Sequence, residues 1–209
     1  MKFVSLLSSG IDSPVATYLL SKKADEIVFV HADNRPLTDD REIDNFLNLA
    51  KVLKKQIKCE VKAYLVPHGN SLLEFRNNCF DRFTCVFCKR MLLRYAEKIA
   101  EIEGADAIIM GDSLGQVASQ TIQNIHVIEH AIKIPVLRPL IGLDKEDVVR
   151  IAKKIGTYDL SIAKSDGCNA VPNKPATRAK ISDMQAEDKK IDVPGLLKKA
   201  VENSKCVNI

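Results

Sequence analysis

An apolar run at residues 3–7 passes without a break into Ser8-Ser9-Gly10-Ile11-Asp12-Ser13, and Pro14 follows. The run reads as a buried strand and the Ser/Gly stretch as a tight turn. Pro14 suits the first turn of a helix, where its missing N–H is no loss and its φ is already set. A strand that turns directly into a helix needs further strands beside it to bury its flanks. If the pattern repeats, the chain is committed to an α/β fold with a parallel sheet. It does repeat. Strands are expected at residues 26–31, 59–66, 107–110 and 134–137. Helices are expected at 14–21, 39–55, 89–103 and 145–155, the last two ended by Gly104 and Gly156. Residues 72–84 read as loop and short helix. The organisation is one compact domain over residues 1–175, a parallel sheet flanked by helices, with a helical extension at 176–209.

The 209 residues, 46% hydrophobic and 28% charged, leave room for one such domain and exclude disordered, collagenous and disulfide-scaffold classes. No apolar run reaches the roughly 18 residues of a spanning helix. The opening apolar stretch is cut short by Ser8-Ser9-Gly10 and Asp12 before a signal peptide develops. A cytoplasmic protein without membrane contact is expected. The net charge of +4, from 31 basic and 27 acidic residues, is too small to argue nucleic-acid binding by itself. The stretch from residue 174 onward holds 8 basic and 5 acidic residues, an asymmetry that permits a polyanionic partner.

The Ser8–Ser13 turn has the chemistry of a phosphate site. Small residues let backbone N–H groups converge on an anion, and the helix N-terminus adds its partial positive charge. The G-K-[ST] ending of a Walker A loop is missing. A turn that merely caps a helix is the plainer alternative. The hexapeptide resembles the S-G-G-x-D-S signature of PP-loop ATP pyrophosphatases, with Ser9 at the first glycine position. That resemblance implies a Rossmann-like fold of the adenine nucleotide alpha hydrolase kind. It also implies that Ser8, Ser9, Gly10, Ile11, Asp12 and Ser13 hold the pyrophosphate end of ATP, with Asp12 helping to place Mg²⁺.

Further segments narrow the family. Arg90-Met91-Leu92-Leu93-Arg94, the run Gly111-Asp112-Ser113-Leu114-Gly115-Gln116-Val117-Ala118-Ser119-Gln120-Thr121, and Leu137-Arg138-Pro139-Leu140-Ile141-Gly142 closely resemble the catalytic domain of tRNA 4-thiouridine synthetases of the ThiI type. The likeness runs from about residue 4 to residue 192. It implies an ATP-dependent sulfurtransferase that adenylates a uridine carbonyl, at tRNA position eight, and replaces its oxygen with sulfur. Gly111 and Gln120 would then join the ATP site. His31, closing the second strand, would lie near the adenine or serve as a satisfied structural histidine. The family usually carries an N-terminal ferredoxin-like and THUMP region that grips tRNA, and many members a C-terminal rhodanese domain. Neither is expected here, so a separate THUMP protein or a homodimer would present the tRNA, and a sulfide donor would act from outside.

Six cysteines with no export signal point to metal or redox chemistry before structural disulfides. Cys85 and Cys88 form a C-x-x-C just ahead of a basic helix, and Cys168 lies in Asp166-Gly167-Cys168-Asn169. Cys168 matches the family's sulfur-handling cysteine. The three together resemble the pattern of iron–sulfur-dependent tRNA thiolation enzymes, in which three thiolates on a [4Fe-4S] cluster leave one iron for sulfide. Zinc, with a fourth ligand from Cys79, Cys59 or a histidine, and a redox dithiol are the alternatives. Cys59 and Cys206 read as buried or incidental thiols.

Arg90, Arg94 and Lys98 recur at four-residue spacing and share one helix face, expected to meet RNA phosphates or to be solvated beside Glu97 and Glu101. Asp112 ends a strand where open α/β sheets place ligand groups. Lys145, Glu146 and Asp147 read most simply as a charged first helical turn. Two rival functions stand beside the sulfurtransferase: a PP-loop ligase acting on a small molecule with a structural zinc, and a nucleotide-binding module without turnover.

Overall fold

The central strands of the sheet are apolar on both sides, and both faces are covered. The computed structural model describes residues 1–163 and 167–209. It forms one six-stranded sheet from β1 (Lys2–Leu6), β2 (Glu26–Asp33), β3 (Glu60–Pro67), β4 (Ala107–Ile109), β5 (Val136–Leu137) and β6 (Lys205–Val207), in the order β5-β4-β1-β2-β3-β6. Every pairing is parallel except that of β6 with β3.

Alternate residues serve opposite layers. Val4, Leu6, Val28, Val30 and Ile108 face α3 (Gly69–Asn78), α4 (Thr84–Glu103), α5 (Ile122–Glu129), α8 (Ile181–Asp188) and α9 (Val193–Glu202). Phe3, Ile27, Phe29 and Ile109 face α1 (Asp12–Ser21), α2 (Arg41–Gln56) and α6 (Lys145–Lys154), and the short α7 (Tyr158–Ser161) packs beside them. Ser5 is the exception within β1. Its buried hydroxyl donates to Thr17 Oγ1 at 2.6 Å, and Thr17 in turn donates to the Ser13 carbonyl at 2.7 Å, so the strand is tied to the start of α1.

The longest helix, α4, buries Phe87, Met91, Tyr95 and Ile99 as a stripe at four-residue spacing. It ends at Gly104, whose φ of +68° is a left-handed cap that a side chain would disfavour. Its start differs from the sequence expectation. The helix begins at Thr84, five residues before the expected residue 89, because a 3₁₀ turn at Asp81–Phe83 leads straight into it and Thr84 Oγ1 caps the Asp81 carbonyl at 2.7 Å. Cys85 and Cys88 therefore lie within its first two turns rather than before it. The stretch read as loop and short helix contains α3 and this 3₁₀ turn. Residues 176–209 supply α8, α9 and the antiparallel β6, and Ala176, Ala179, Met184, Val193 and Ala200 are buried in the same core as α4. No helix among the described residues is long and apolar enough to cross a membrane.

Strand order reverses about β1, with β2 on one side and β4 on the other. Open α/β sheets bind ligands in the crevice at the carboxyl ends of strands flanking such a reversal. The Ser8–Ser13 turn leaves β1 there, and Gly111-Asp112 leaves β4 beside it.

Candidate active site

Hydroxyls knit the turn after β1. The Ser8 N–H donates to Ser13 Oγ at 2.9 Å, and the two hydroxyls lie 3.0 Å apart. The Gly10 N–H reaches Ser8 Oγ at 3.3 Å, and Ser161 Oγ reaches back to the Gly10 carbonyl at 3.3 Å. Ser9 donates to Glu42 Oε1 at 2.7 Å, so the residue at the first glycine position ties the turn to the first turn of α2. Ile11 precedes α1, and Asp12 opens it. Gly111 presses on this turn from β4: a Cβ there would stand 2.7 Å from Ser13 Cα and from Ser13 N.

Asp12 holds an ion pair with Lys145 at 2.5 Å. From the sequence, Lys145 reads as part of a charged first helical turn with Glu146 and Asp147. A cation in the first turn of α6 opposes the helix dipole, and that mismatch was the available signal.

Asp112 is the next anchor. It is 3% exposed and accepts from Lys89 Nζ at 2.5 Å and Arg138 Nε at 3.2 Å, with Gln120 Nε2 at 3.5 Å. Burial alone would raise its carboxyl, but Lys89 and Arg138 outweigh that and hold it below the ordinary carboxylate range. Gln120 keeps a buried Oε1 with no partner in the protein. His31 is buried, stacked on Phe46 at 4.2 Å between ring centroids, and donates Nδ1–H to the Leu7 carbonyl at 2.9 Å. That bond leaves Nε2 as the bare nitrogen, without a partner in the protein, and burial lowers the ring's pKa. The contact supports the structural reading of His31; it also leaves one buried acceptor open.

Lys89 leads from Asp112 into the cysteine site. Cys85, Cys88 and Cys168 line one cavity of about 220 Å³ together with Lys89, Ser119 and Ala170. The two α4 cysteines are three residues apart and so share a face. Cys168 arrives from the far side on a segment held where the Asn169 N–H meets the Leu37 carbonyl at 3.0 Å and Arg76 meets the Asn169 carbonyl at 3.2 Å. Asp166 of that segment lies outside the described residues. Burial pushes the Cys88 thiol up to about 12, with Cys168 and Cys85 adding to the effect. Burial also raises Cys85, Cys168 adds to it, and Lys89 opposes. All six cysteines are free thiols. The other three stand apart: Cys59 at the opposite edge beside Tyr18 and Lys22, Cys206 on β6, and Cys79 donating to the Glu187 carbonyl at 3.6 Å. Among the described residues no group of three or more His, Cys, Asp or Glu side chains is set to hold a metal ion.

Arg90 and Arg94 do share a helix face, but it turns inward. Arg90 is 3% exposed, donating to the Val127 carbonyl at 2.6 Å and to Asp188 at 3.1 Å, and Arg94 meets the same carboxylate at 2.8 Å. The two guanidiniums brace α4 against α5 and α8 instead of facing solvent with Lys98. A long basic side chain with an internal acceptor is indistinguishable by spacing from one in water.

Residues 1–193 match the family described as Thiamine biosynthesis protein (ThiI). A protein of Methanothermobacter thermautotrophicus described as a probable tRNA sulfurtransferase is 43% identical over 193 residues, 92% of this chain and 50% of that one. One of Methanosarcina mazei with the same description is 36% identical over 209 residues, 100% of this chain and 52% of that one. The chain thus spans about half the length of the curated relatives it matches. Among solved structures, a 4-thiouridine synthetase in complex with RNA and bound ATP superposes with a TM-score of 0.94 at 36% identity, covering 99% of this chain and 54% of that one. NMN synthetase from Francisella tularensis, at TM-score 0.57 and 15% identity, covering 96% of this chain and 83% of that one, shares the fold. With a Ser/Gly turn at the strand reversal, three thiols lining one cavity, and similarity running nearly end to end along this chain, the chain belongs to the ThiI family.

Proposed function

We propose that this chain activates a tRNA uridine with ATP and exchanges its O4 for sulfur. One observation carries the reading: the turn after β1, Gly111-Asp112 after β4, Lys89 and the three-thiol cavity form one continuous run of contacts. An activated carbon made at the turn can meet sulfur from the cavity before it meets water.

In the first step uridine O4 attacks the α-phosphorus of ATP. A P–O bond forms, the α–β bridging bond breaks, pyrophosphate leaves and the N3 proton is lost. Backbone N–H groups of the Ser8–Ser13 turn and the N-terminus of α1 hold the departing pyrophosphate. Lys145, released from Asp12, neutralises phosphate charge. His31, Gly111 and Gln120 complete the nucleotide side of the site. In the second step a sulfur nucleophile adds at C4 and AMP departs, carrying off the former O4.

Two absent groups are tested by the donors present. Asp12, a partly exposed carboxylate at the mouth of the turn, is the hard oxygen donor that Mg²⁺ takes alongside phosphate oxygens, and it fits. Cys85, Cys88 and Cys168 are three soft donors lining one cavity, a set that suits a cluster with one iron left without a protein ligand, whereas a closed zinc site needs a fourth ligand. When bound, a [4Fe-4S] cluster on these thiolates offers one iron free of protein ligands, at which sulfide can reside. Because burial raises the Cys85 and Cys88 thiols, loading releases their protons and weakens as pH falls. A reducing cytoplasm suits six free thiols. Grip on the tRNA body is assigned to a THUMP-bearing region or a second copy, not to Arg90 and Arg94.

Anaerobic purification with iron, zinc and sulfide analysis tests the reading. Iron and sulfide are expected, and each of Cys85→Ala, Cys88→Ala and Cys168→Ala should lower bound iron and thiolation while ATP still binds. Cys59→Ala and Cys206→Ala should do neither. Zinc without iron would return the chain to a ligase with a structural metal. Asp12→Asn should keep the fold and lower thiolation at least about 100-fold, the scale of losing one preorganised charge at a phosphoryl group. Undiminished product from that variant would remove Asp12 from the mechanism.

A further inference from the structure

His68 has no part in the reaction described above, yet it is fully buried against one of the cavity thiols. Its Nε2 lies 3.3 Å from Cys88 Sγ and its Nδ1 lies 3.0 Å from the Tyr95 hydroxyl, which is itself 3.0 Å from Ser71 Oγ. Tyr95 and Ser71 are buried as well, and among the described residues the side chains of Ser71, Tyr95, His68 and Cys88 hydrogen-bond with one another. The backbone sets the ring's place. The His68 N–H donates to the Asp33 carbonyl at 2.8 Å, and the next residue, Gly69, is pressed so close that a Cβ would stand 1.9 Å from the Arg35 carbonyl oxygen.

Donor counting decides what the arrangement does. A neutral imidazole carries a single N–H. A Cys88 that ligates a cluster has no proton on sulfur. Nε2 must then carry the ring proton and donate it to the sulfur, Nδ1 must accept from the Tyr95 O–H, and the Tyr95 oxygen must accept from Ser71. Every donor in the line then points towards the cavity. A ring protonated on Nδ1 would instead aim a lone pair at the ligand sulfur.

We propose that His68 is the positioning residue for Cys88 as a cluster ligand, donating Nε2–H to the bound sulfur and held in that tautomer by Tyr95 and Ser71. The inference rests on the cluster reading of Cys85, Cys88 and Cys168 and adds a residue to it. An N–H···S bond draws charge from the sulfur and favours the more negative, reduced cluster, so it raises the reduction potential.

The test compares anaerobically reconstituted parent, His68→Leu, His68→Gln and Tyr95→Phe by iron and sulfide content and by midpoint potential. Leu fills the space without a donor, and Gln restores an N–H near the Nε2 position. The potential should be more negative in His68→Leu, return close to the parent's in His68→Gln, and shift the same way by less in Tyr95→Phe. A fully iron-loaded His68→Leu with the parental potential overturns the inference. If that variant does not fold, an unchanged potential in Tyr95→Phe overturns it. A parent that takes up no iron overturns the cluster reading instead. In that metal-free protein, alkylation of Cys88 by iodoacetamide, followed by mass spectrometry, reads the same contact. It should be several-fold slower in His68→Leu than in the parent and His68→Gln, and equal rates would overturn the donor role.

Discussion

Gly111→Ala is expected to abolish ATP binding while leaving the fold in place. The added methyl would stand 2.7 Å from Ser13 Cα and N and 2.9 Å from the Asp12 carbonyl carbon, all backbone atoms that cannot swing aside. Normal carbon contacts need about 3.5–4.0 Å, so the segment after β4 and the Ser8–Ser13 turn must part by about 1 Å. β1 and β4 are paired with each other, so the parting falls on the two segments that leave them and displaces the turn. Its N–H groups then miss the pyrophosphate, and each charge-assisted bond lost costs about 1.5–3 kcal/mol. Two such losses weaken binding at least about 100-fold. Titration calorimetry with ATP and a circular dichroism spectrum measure the two halves of the expectation. Gly142→Ala, where a Cβ would meet nothing within 4 Å, is the control. Parental affinity in Gly111→Ala would mean that the turn does not carry the nucleotide.

Arg90→Met should cost stability, not RNA affinity. The substitution strands the Val127 carbonyl and leaves Asp188, shared with Arg94, short of one partner. Breaking a buried ion pair from one side costs about 3–5 kcal/mol. With Arg94 still on Asp188 the lower end applies, which lowers the melting temperature of a chain of this size by about 10 °C. The salt dependence of tRNA binding should match the parent's, whereas loss of a phosphate contact would flatten it. A flattened slope with an unchanged melting temperature would put Arg90 on the RNA instead.

Strand and helix identities were legible in the sequence because they follow from local chemistry. The apolar runs at β1 and β2, the Ser/Gly turn with Pro14 behind it, and Gly104 at a helix end each announce a backbone conformation within a few residues. The Ser8–Ser13 turn and the likeness to ThiI-type synthetases could be read on the same basis, since both are contiguous motifs. The sequence also named Cys85, Cys88 and Cys168, but not that the 79 residues between 88 and 168 fold so that all three line one cavity. Only the tertiary structure decided which charges point inward. Spacing placed Arg90 and Arg94 on a common face, and the packing of α5 and α8 turned that face into the core. Lys145 reached Asp12 across 133 positions, and His68 reached Cys88 across 20. Burial and partnership are properties of contacts distant along the chain, and periodicity, which reports one element at a time, holds no record of them.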